Sequence, residues 1–300
     1  MTQAPDSTIL LGSTLGPYRL EELLGRTETG DIYRATGRED GTPWLLKLVH
    51  AELCAMPGFR AALRQQAMFL SALAHPHIAH ASQIDEAGDI CFIALPWQPD
   101  GTLRQLLGRR GGLGDDLPLA IDLAAQIAEG LAFAHGQGFV HGSLSPEDML
   151  LARRDDGGYT LTISDFGLAW LLLDYSVESG PWADSLIYAL TPERCRGLEA
   201  DAQGDQYALG AILYELVTGC APYSARTLDD AVVGHVYSQP VPPRALVPAM
   251  PAELEAIILR CLAKSPADRF ADTGDLARAL RGVKGLGAGS RGSGVGSRES

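Results

Sequence analysis

Two glycines and a lysine near the start of the chain have the types and spacing that phosphate binding requires. Gly25 and Gly30 enclose a short turn between two predicted strands, and glycine lets a backbone approach phosphates closely. Lys47 lies inside the apolar run Trp44–Val49, where an unpaired ammonium group is costly to bury. We therefore expect Lys47 to point into a cleft toward an anion. The alternatives are an ordinary hairpin at the glycines and an edge-strand lysine that reaches water.

Alternation along the lysine-bearing strand predicts which side chains share this cleft. A strand directs successive side chains to opposite faces, so Leu45, Lys47 and Val49 fall on one face. Trp44 and Leu46 fall on the other. We therefore expect Leu45 to look into the same cleft as Lys47.

The wider pattern divides the chain into a small sheet-rich lobe and a larger helical lobe. From Tyr18 to about Leu95 the signals are strand-like with one helix, and helical periodicity dominates after about Gly101. Tyr207–Val217 is apolar on nearly all sides, which predicts a helix in the middle of the larger lobe. The expected parts are a lead-in over residues 1–17, lobes over 18–98 and 99–283, and a flexible Gly/Ser-rich tail over 284–300.

Composition limits the classes of partner and site. The formal net charge of −13 argues against a nucleic acid partner, because phosphate binding needs a basic surface. The five cysteines are scattered without a CxxC pair, which predicts reduced thiols rather than a disulfide framework or a metal cluster. The apolar run near Leu168–Leu173 is far too short to span a bilayer, and Met1–Ser13 does not resemble a secretory signal. We expect no membrane insertion within this chain and a cytoplasmic location.

Short motifs follow the lysine in a fixed order. They are Leu73–Ile78, His141–Asp148, Asp165–Gly167, Thr191–Glu193, Asp205–Gly210 and Lys264–Phe270. In this order and spacing they resemble the landmarks of a bacterial serine/threonine protein kinase domain over roughly residues 18–283. The resemblance implies an α+β, bilobal protein-kinase-like fold. Its small lobe would hold a five-stranded antiparallel sheet with one helix, and its larger lobe would be mainly helical.

By this resemblance, part of the chain is retained scaffold. Glu193 and Arg269 match an ion pair that ties the end of the activation segment to the helical lobe. Asp205 matches the anchor of the catalytic-loop backbone. Three further positions match a hydrophobic stack that joins the lobes: His141, Phe166 and Leu70. The resemblance therefore implies a well-folded kinase body.

Four positions around the reacting centre depart from the kinase pattern. Ser143 stands where the family has its catalytic aspartate, and a serine cannot act as that base at neutral pH. Ser145 replaces the lysine that steadies the transferring phosphoryl group. Gly142 replaces the arginine that receives a phosphorylated activation segment, and Leu186 replaces the threonine that bridges aspartate and lysine. The resemblance implies that no catalytic residue is intact.

The nucleotide site is partly retained. Asp148 and Asp165 offer oxygen ligands for Mg²⁺, and the Pro96 carbonyl and Gln98 amide match the two adenine hydrogen bonds. The full ATP-binding set implied by the resemblance is Gly25, Gly30, Ile32, Leu45, Lys47, Pro96, Gln98, Leu150 and Asp165.

Three exchanges predict weak or absent ATP binding. Leu45 stands where kinases have a small alanine under the adenine ring, and overfilling typically costs about 1–3 kcal/mol, or roughly 5- to 150-fold in affinity. Gln66 replaces the glutamate that pairs with the strand lysine, and Thr27 replaces the middle glycine of the loop.

These observations predict a pseudokinase that acts as a regulatory or protein-binding module, with a protein partner of unknown identity. One alternative is a serine/threonine kinase with low residual or rerouted ATP-dependent transfer, because loss of a general base costs only about 10²–10⁴-fold. Another is a non-catalytic switch that senses Mg-ATP through Lys47, Asp148 and Asp165.

Overall fold

The small lobe of the computed structural model is built on a six-stranded antiparallel sheet. The structure describes residues 10–26, 30–71, 73–79, 83–166, 190–225 and 227–283, and of residues 26, 66–71, 83 and 228 it describes only the backbone. The strands are β1 (Thr14–Leu15), β2 (Tyr18–Arg26), β3 (Gly30–Gly37), β4 (Pro43–Val49), β5 (Gln83–Ala87) and β6 (Ile90–Pro96). Their order across the sheet is β1-β2-β3-β4-β6-β5.

The sheet has one strand more than the five predicted. The added strand, β1, lies within residues 1–17, which were predicted to be a polar lead-in, and Leu15 pairs with Tyr18 of β2. Gly16 makes the tight turn with a φ of 56°, a conformation that favours glycine. Leu15 is 5% exposed because it packs into the core on one side of the sheet. One buried leucine in a two-residue strand gives too little periodicity for sequence reasoning to detect.

Two helices accompany this sheet rather than the single one predicted. A single helical turn, α1 (Ala51–Cys54), precedes the longer α2 (Phe59–Ser71). Leu53 and Cys54 of α1 are buried against β6, which explains why so short a turn is held in place.

Strand β4 lies between β3 and β6 and separates two small cores. Val49 and the half-buried Leu45 pack on the side of α1 and α2, whereas Leu46 and Leu48 pack on the opposite side with Tyr33. The predicted alternation of faces is therefore confirmed. Lys47 shares the face of Leu45 and Val49.

The larger lobe is mainly helical, as predicted. Within the described residues its helices are α3 (Leu103–Arg110), α4 (Leu117–Gly136), α5 (Ala202–Thr218), α6 (Leu228–Tyr237), α7 (Pro243–Leu246), α8 (Ala252–Cys261) and α9 (Thr273–Gly282). A hairpin of β7 (Met149–Arg153) and β8 (Tyr159–Ile163) lies beside α4. Helix α4 packs against α5 and α9, so the largest core lies around these three helices.

Helix α5 is the buried helix that the apolar segment predicted. It begins earlier than expected because the Asp201 side chain accepts a hydrogen bond from the Gly204 amide at 2.8 Å and so caps its first turn. Every residue from Gly204 to Val217 is buried. Gly219 ends the helix with a φ of 79°.

Helix α4 is long and apolar enough to cross a membrane by length and composition. In this fold 67% of the 18-residue apolar stretch of α4 is buried inside the protein. Core helices of globular lobes pass the same test, so this finding is weak evidence for a membrane span.

The two lobes are joined at the loop between α2 and β5. The Ile163 amide of β8 donates to the His77 carbonyl at 2.9 Å, and the Ala79 amide donates to the Ile163 carbonyl at 2.8 Å. The His77 ring also hydrogen-bonds the Leu161 carbonyl through Nδ1 at 2.9 Å. This loop is thus attached directly to the strand that leads into Asp165.

Candidate active site

A cavity of about 390 Å³ lies between the sheet and the helical lobe. Its size falls within the range of about 300–1,000 Å³ that small-molecule sites occupy. Seven residues of the predicted nucleotide set line it: Gly25, Ile32, Leu45, Lys47, Gln98, Leu150 and Asp165. Residues far apart in sequence therefore meet at one cleft, although their role in binding ATP stays a prediction.

Three other predicted site residues do not line this cavity. A Cβ atom on Gly30 would collide with the Leu48 carbonyl group, so this glycine is needed for β3 to approach β4. Pro96 ends β6 opposite Trp44 with an exposed side chain, and only its backbone carbonyl was assigned a role. Asp148 ends the segment His141–Asp148, here called the catalytic segment after the kinase motif that it resembles, and is half-buried.

Lys47 does point toward an anion, and that anion is Asp165. Its Nζ lies 2.7 Å from Oδ2 of Asp165, and its side chain is only 6% exposed. The lysine thus escapes the cost of an unpaired buried charge. The side chain of Gln66, its predicted hydrogen-bond partner, lies outside the described residues, as do Thr27, Gly167, Leu186 and the side chain of Leu70.

Asp165 has an unusual backbone conformation. Its φ is 62°, and within the described part of the chain it is the one residue other than glycine with a positive φ. Aspartate tolerates this left-handed region better than most residues, but such strain persists only where the surroundings hold it. The turn leaves Asp165 at the cavity while Phe166 is 2% exposed, with its ring centroid 4.8 Å from that of His141. The predicted contact between His141 and Phe166 is therefore present.

Asp205 holds the backbone of the catalytic segment, as predicted. Its carboxylate accepts hydrogen bonds from the amides of His141 and Gly142, each at 2.8 Å. The His135 ring lies 2.8 Å from the same carboxylate through Nε2. Asp205 is 1% exposed, so these bonds act in a buried setting where they are strong. The segment that carries Ser143 is therefore rigid at its start.

Ser145 and Asp148 form one hydrogen-bonded unit. The amide and the hydroxyl of Ser145 both donate to Oδ2 of Asp148, at 2.9 and 2.8 Å, around a 3₁₀ turn at Pro146–Asp148. Burial raises the pKa of Asp148 to about 6, and the nearby Asp165 carboxylate adds to that rise. Ser145, predicted only as a lost lysine, thus has a structural partner.

The donor set fits Mg²⁺. Within the described residues no group of three or more His, Cys, Asp or Glu side chains could hold a metal by itself. Mg²⁺ typically takes one or two carboxylates together with substrate phosphates and waters. Asp148 and Asp165 supply two such carboxylates, and a cation bound there would neutralise phosphate charge.

An arginine network beside the cavity was missed from the sequence. Nε of Arg104 lies 2.9 Å from Oε1 of Glu147, and its Nη1 lies 2.7 Å from Oε1 of Glu215. Arg104 and Glu147 both line the cavity. The sequence did contain one signal of this network. Glu215 is an acidic residue inside the apolar helix α5, and a buried carboxylate needs a cationic partner.

The predicted scaffold pair is also present. Arg269 donates to Glu193 through both terminal nitrogens, at 2.7 and 2.9 Å, and the two residues are 2% and 3% exposed. Burial alone would raise the pKa of Glu193, but the hydrogen bonds and charge of Arg269 outweigh it and lower that pKa. This geometry is the strong, two-pronged form of a carboxylate–guanidinium pair.

Leu45 narrows the cavity without closing it. We expect Leu45→Ala to tighten ATP binding by about fivefold, equivalent to about 1 kcal/mol, because the cavity already has room and the overfilling cost lies at the low end of its range. Calorimetric titration with ATP would measure the change, with the melting temperature of the free variant as the control for altered packing. Equal or weaker affinity at an unchanged melting temperature would show that Leu45 does not obstruct the ligand.

Comparisons with known proteins agree with this architecture. The sequence pattern of the protein kinase domain matches residues 18–279. The serine/threonine-protein kinase PknH of Mycobacterium bovis is 33% identical over 280 residues, covering 93% of this chain and 46% of the relative. PknE of Mycobacterium tuberculosis is 32% identical over 269 residues, covering 89% of this chain and 46% of the relative. The chain thus spans less than half the length of these curated relatives.

Among solved structures, the Mycobacterium tuberculosis PknI kinase domain is similar, with a TM-score of 0.69 and 24% identity. The match covers 90% of this chain and 97% of that domain, and it supports the fold. Lobes, cleft and sequence pattern therefore agree. The chain belongs to the protein kinase domain family.

Proposed function

We propose that this domain binds Mg-ATP in the interlobe cleft and transfers the γ-phosphoryl group slowly to serine or threonine hydroxyls. The observation that carries the proposal is the open cavity with Lys47 and Asp165 paired at its wall. The chain keeps the charged groups that position phosphates and lacks the group that would accept a proton. Binding is therefore expected to survive better than turnover.

The expected rate follows from the missing base. Kinases typically turn over at about 1–100 s⁻¹, and loss of a general base typically costs about 10²–10⁴-fold. These ranges leave roughly 10⁻⁴ to 1 s⁻¹ for Ser143 at the base position. Phosphoryl transfer tolerates such a loss because it depends mainly on positioning and electrostatics.

Each retained residue has a role in this scheme. Lys47 donates to the phosphates and gives up part of its ion pair with Asp165. A lysine is a strong point-charge donor to phosphate. Asp148 and Asp165 hold the cation, which supplies charge neutralisation at the phosphates. Asp205 keeps the loop of Ser143 in place, so that the acceptor hydroxyl meets a rigid surface.

The similar proteins are named as kinases. This supports phosphoryl transfer as the function, in preference to the pseudokinase that the sequence predicted first. One observation still favours a non-catalytic module as the second candidate. Ser143 and Ser145 remove the base and the lysine, while Asp205 and the pair of Glu193 with Arg269 keep the body intact. Such a module would act in the cytoplasm by binding a protein partner.

Melting temperature and phosphotransfer together separate these candidates. With millimolar Mg-ATP we expect a rise in melting temperature and slow transfer to a generic protein acceptor. Lys47→Ala and Asp165→Ala are expected to remove both, because they delete the phosphate and metal contacts. Asp89→Ala, at a fully exposed side chain, and Lys284→Ala, outside the family-matched segment, are matched controls and should change neither.

Two outcomes would contradict the proposal in different ways. If the protein binds Mg-ATP but shows no phosphoryl transfer that Lys47→Ala abolishes, the Mg-ATP-sensing switch is the remaining hypothesis. Neither binding nor transfer would leave the partner-binding module.

A further inference from the structure

One carboxylate oxygen of Asp148 is committed to Ser145. The Ser145 amide and hydroxyl both reach Oδ2, and the Asp148 amide returns a bond to the Ser145 carbonyl at 3.1 Å. Ser145 is 3% exposed, so its hydroxyl has little access to water. The described residues provide no bond to Oδ1. Asp148 is therefore oriented to offer a single oxygen.

Asp165 is held in the same manner. Lys47 engages its Oδ2 at 2.7 Å, and the backbone turn fixes its direction. Ser164, its neighbour, donates to the Asp148 carbonyl through its amide at 2.8 Å and its hydroxyl at 3.0 Å. The two aspartates thus belong to one hydrogen-bonded unit that presents one oxygen from each.

Two exchanges in this unit change the charge in the same direction. The kinase pattern that the chain resembles has a lysine at position 145 and an asparagine at position 148. Ser145 removes one positive charge and Asp148 adds one negative charge, so the unit is two charges more negative. Lys47 offsets only one of the negative charges here, so the phosphates of a nucleotide would be repelled unless a further cation were present.

We propose that Ser145 is a positioning residue for a divalent cation held by Asp148 and Asp165, and that this cation replaces the positive charge of the missing lysine. The inference rests on the proposed function, because it needs nucleotide phosphates as the remaining ligands. Single oxygens from two carboxylates suit the octahedral, partly hydrated Mg²⁺ or Mn²⁺, whereas Ca²⁺ takes six to eight oxygens and often both of a carboxylate.

The first test measures metal affinity without turnover. Free Mn²⁺ is followed by electron paramagnetic resonance in the presence of a non-hydrolysable ATP analogue. Ser145→Ala is expected to weaken Mn²⁺ binding about 10- to 100-fold, the usual effect of deleting a hydrogen bond to a metal ligand. Ser145→Thr keeps the hydroxyl and should stay close to the wild type. Ser224→Ala makes the same chemical change at an exposed serine outside the site and is the matched control.

The second test addresses the charge and does not depend on the stability of Ser145→Ala. The double variant Ser145→Lys with Asp148→Asn restores the kinase pattern at both positions. The wild type should bind the ATP analogue far better with Mg²⁺ than without it, and this ratio should fall at least tenfold in the double variant. An unchanged ratio would overturn the idea that the cation replaces the lysine.

The outcomes separate the inference from the proposed function. Equal Mn²⁺ affinity in folded Ser145→Ala and wild type would overturn the role of Ser145 and leave nucleotide binding in place. Binding of the analogue with no Mn²⁺ uptake would overturn the cation site alone. Failure of the wild type to bind the analogue at all would remove the proposed function itself.

Discussion

Ser143→Asp is expected to raise the rate of phosphoryl transfer by about 10²–10⁴-fold, the usual contribution of a positioned general base. The backbone just before position 143 is fixed by two hydrogen bonds to Asp205, so the new carboxylate would start from a rigid segment. Single-turnover transfer from labelled ATP to a protein acceptor would measure the gain. ATP affinity should change little, because Ser143 is not part of the cavity wall.

Ser143→Asn is the matched control for this prediction. Asparagine has nearly the shape of aspartate but cannot accept a proton at neutral pH, so it should leave the rate near that of the wild type. If Asp and Asn at position 143 gave equal rates while ATP still bound, the missing base would not be the limiting defect. The altered residue at position 145 would then be the next candidate.

Arg269→Met is expected to lower the free energy of unfolding by about 3–5 kcal/mol, because it leaves the buried carboxylate of Glu193 without its partner. Arg269 also donates to the carbonyls of Gln203 and Ala263, at 2.7 and 2.9 Å, so the loss reaches beyond the ion pair. Urea unfolding followed by circular dichroism would measure the change.

Two control variants separate the effect of the unpaired Glu193 charge from other effects of the substitution. The double variant Arg269→Met with Glu193→Leu removes both charges and should recover much of the loss, since well-packed apolar residues often replace a buried pair without cost. Arg278→Ala removes the exposed ion pair with Asp275 and should change stability by less than about 1 kcal/mol. A large loss in the double variant would show that the backbone contacts of Arg269 matter more than its charge.

Sequence alone was sufficient for features that depend on local periodicity or on a family motif. Alternation placed Leu45 and Lys47 on the cleft face, and both line the cavity. Motif resemblance identified Asp205 and the pair of Glu193 with Arg269, and their contacts are present. Weak or absent ATP binding stays a prediction, since the cavity volume does not measure affinity.

Features that depend on contacts between distant segments were not predictable. Arg104 meets partners that are 43 and 111 residues away in sequence, and no local pattern encodes that meeting. The bond from Ser145 to Asp148 spans only three residues, yet reading Ser145 as a lost lysine hid its new partner. The Mg²⁺ role of Asp148 and Asp165 stays a prediction.

The hydrogen bonds that join His77, Leu161, Ile163 and Ala79 have a consequence for how the cleft can open. They attach the strand before Asp165 to the loop that leaves α2, so the aspartate cannot move independently of that loop. Because Ser164 also donates to the Asp148 carbonyl, both predicted cation ligands would follow that loop together. In the proposed function, opening of the lobes would therefore move the two aspartates as one unit and would not separate them.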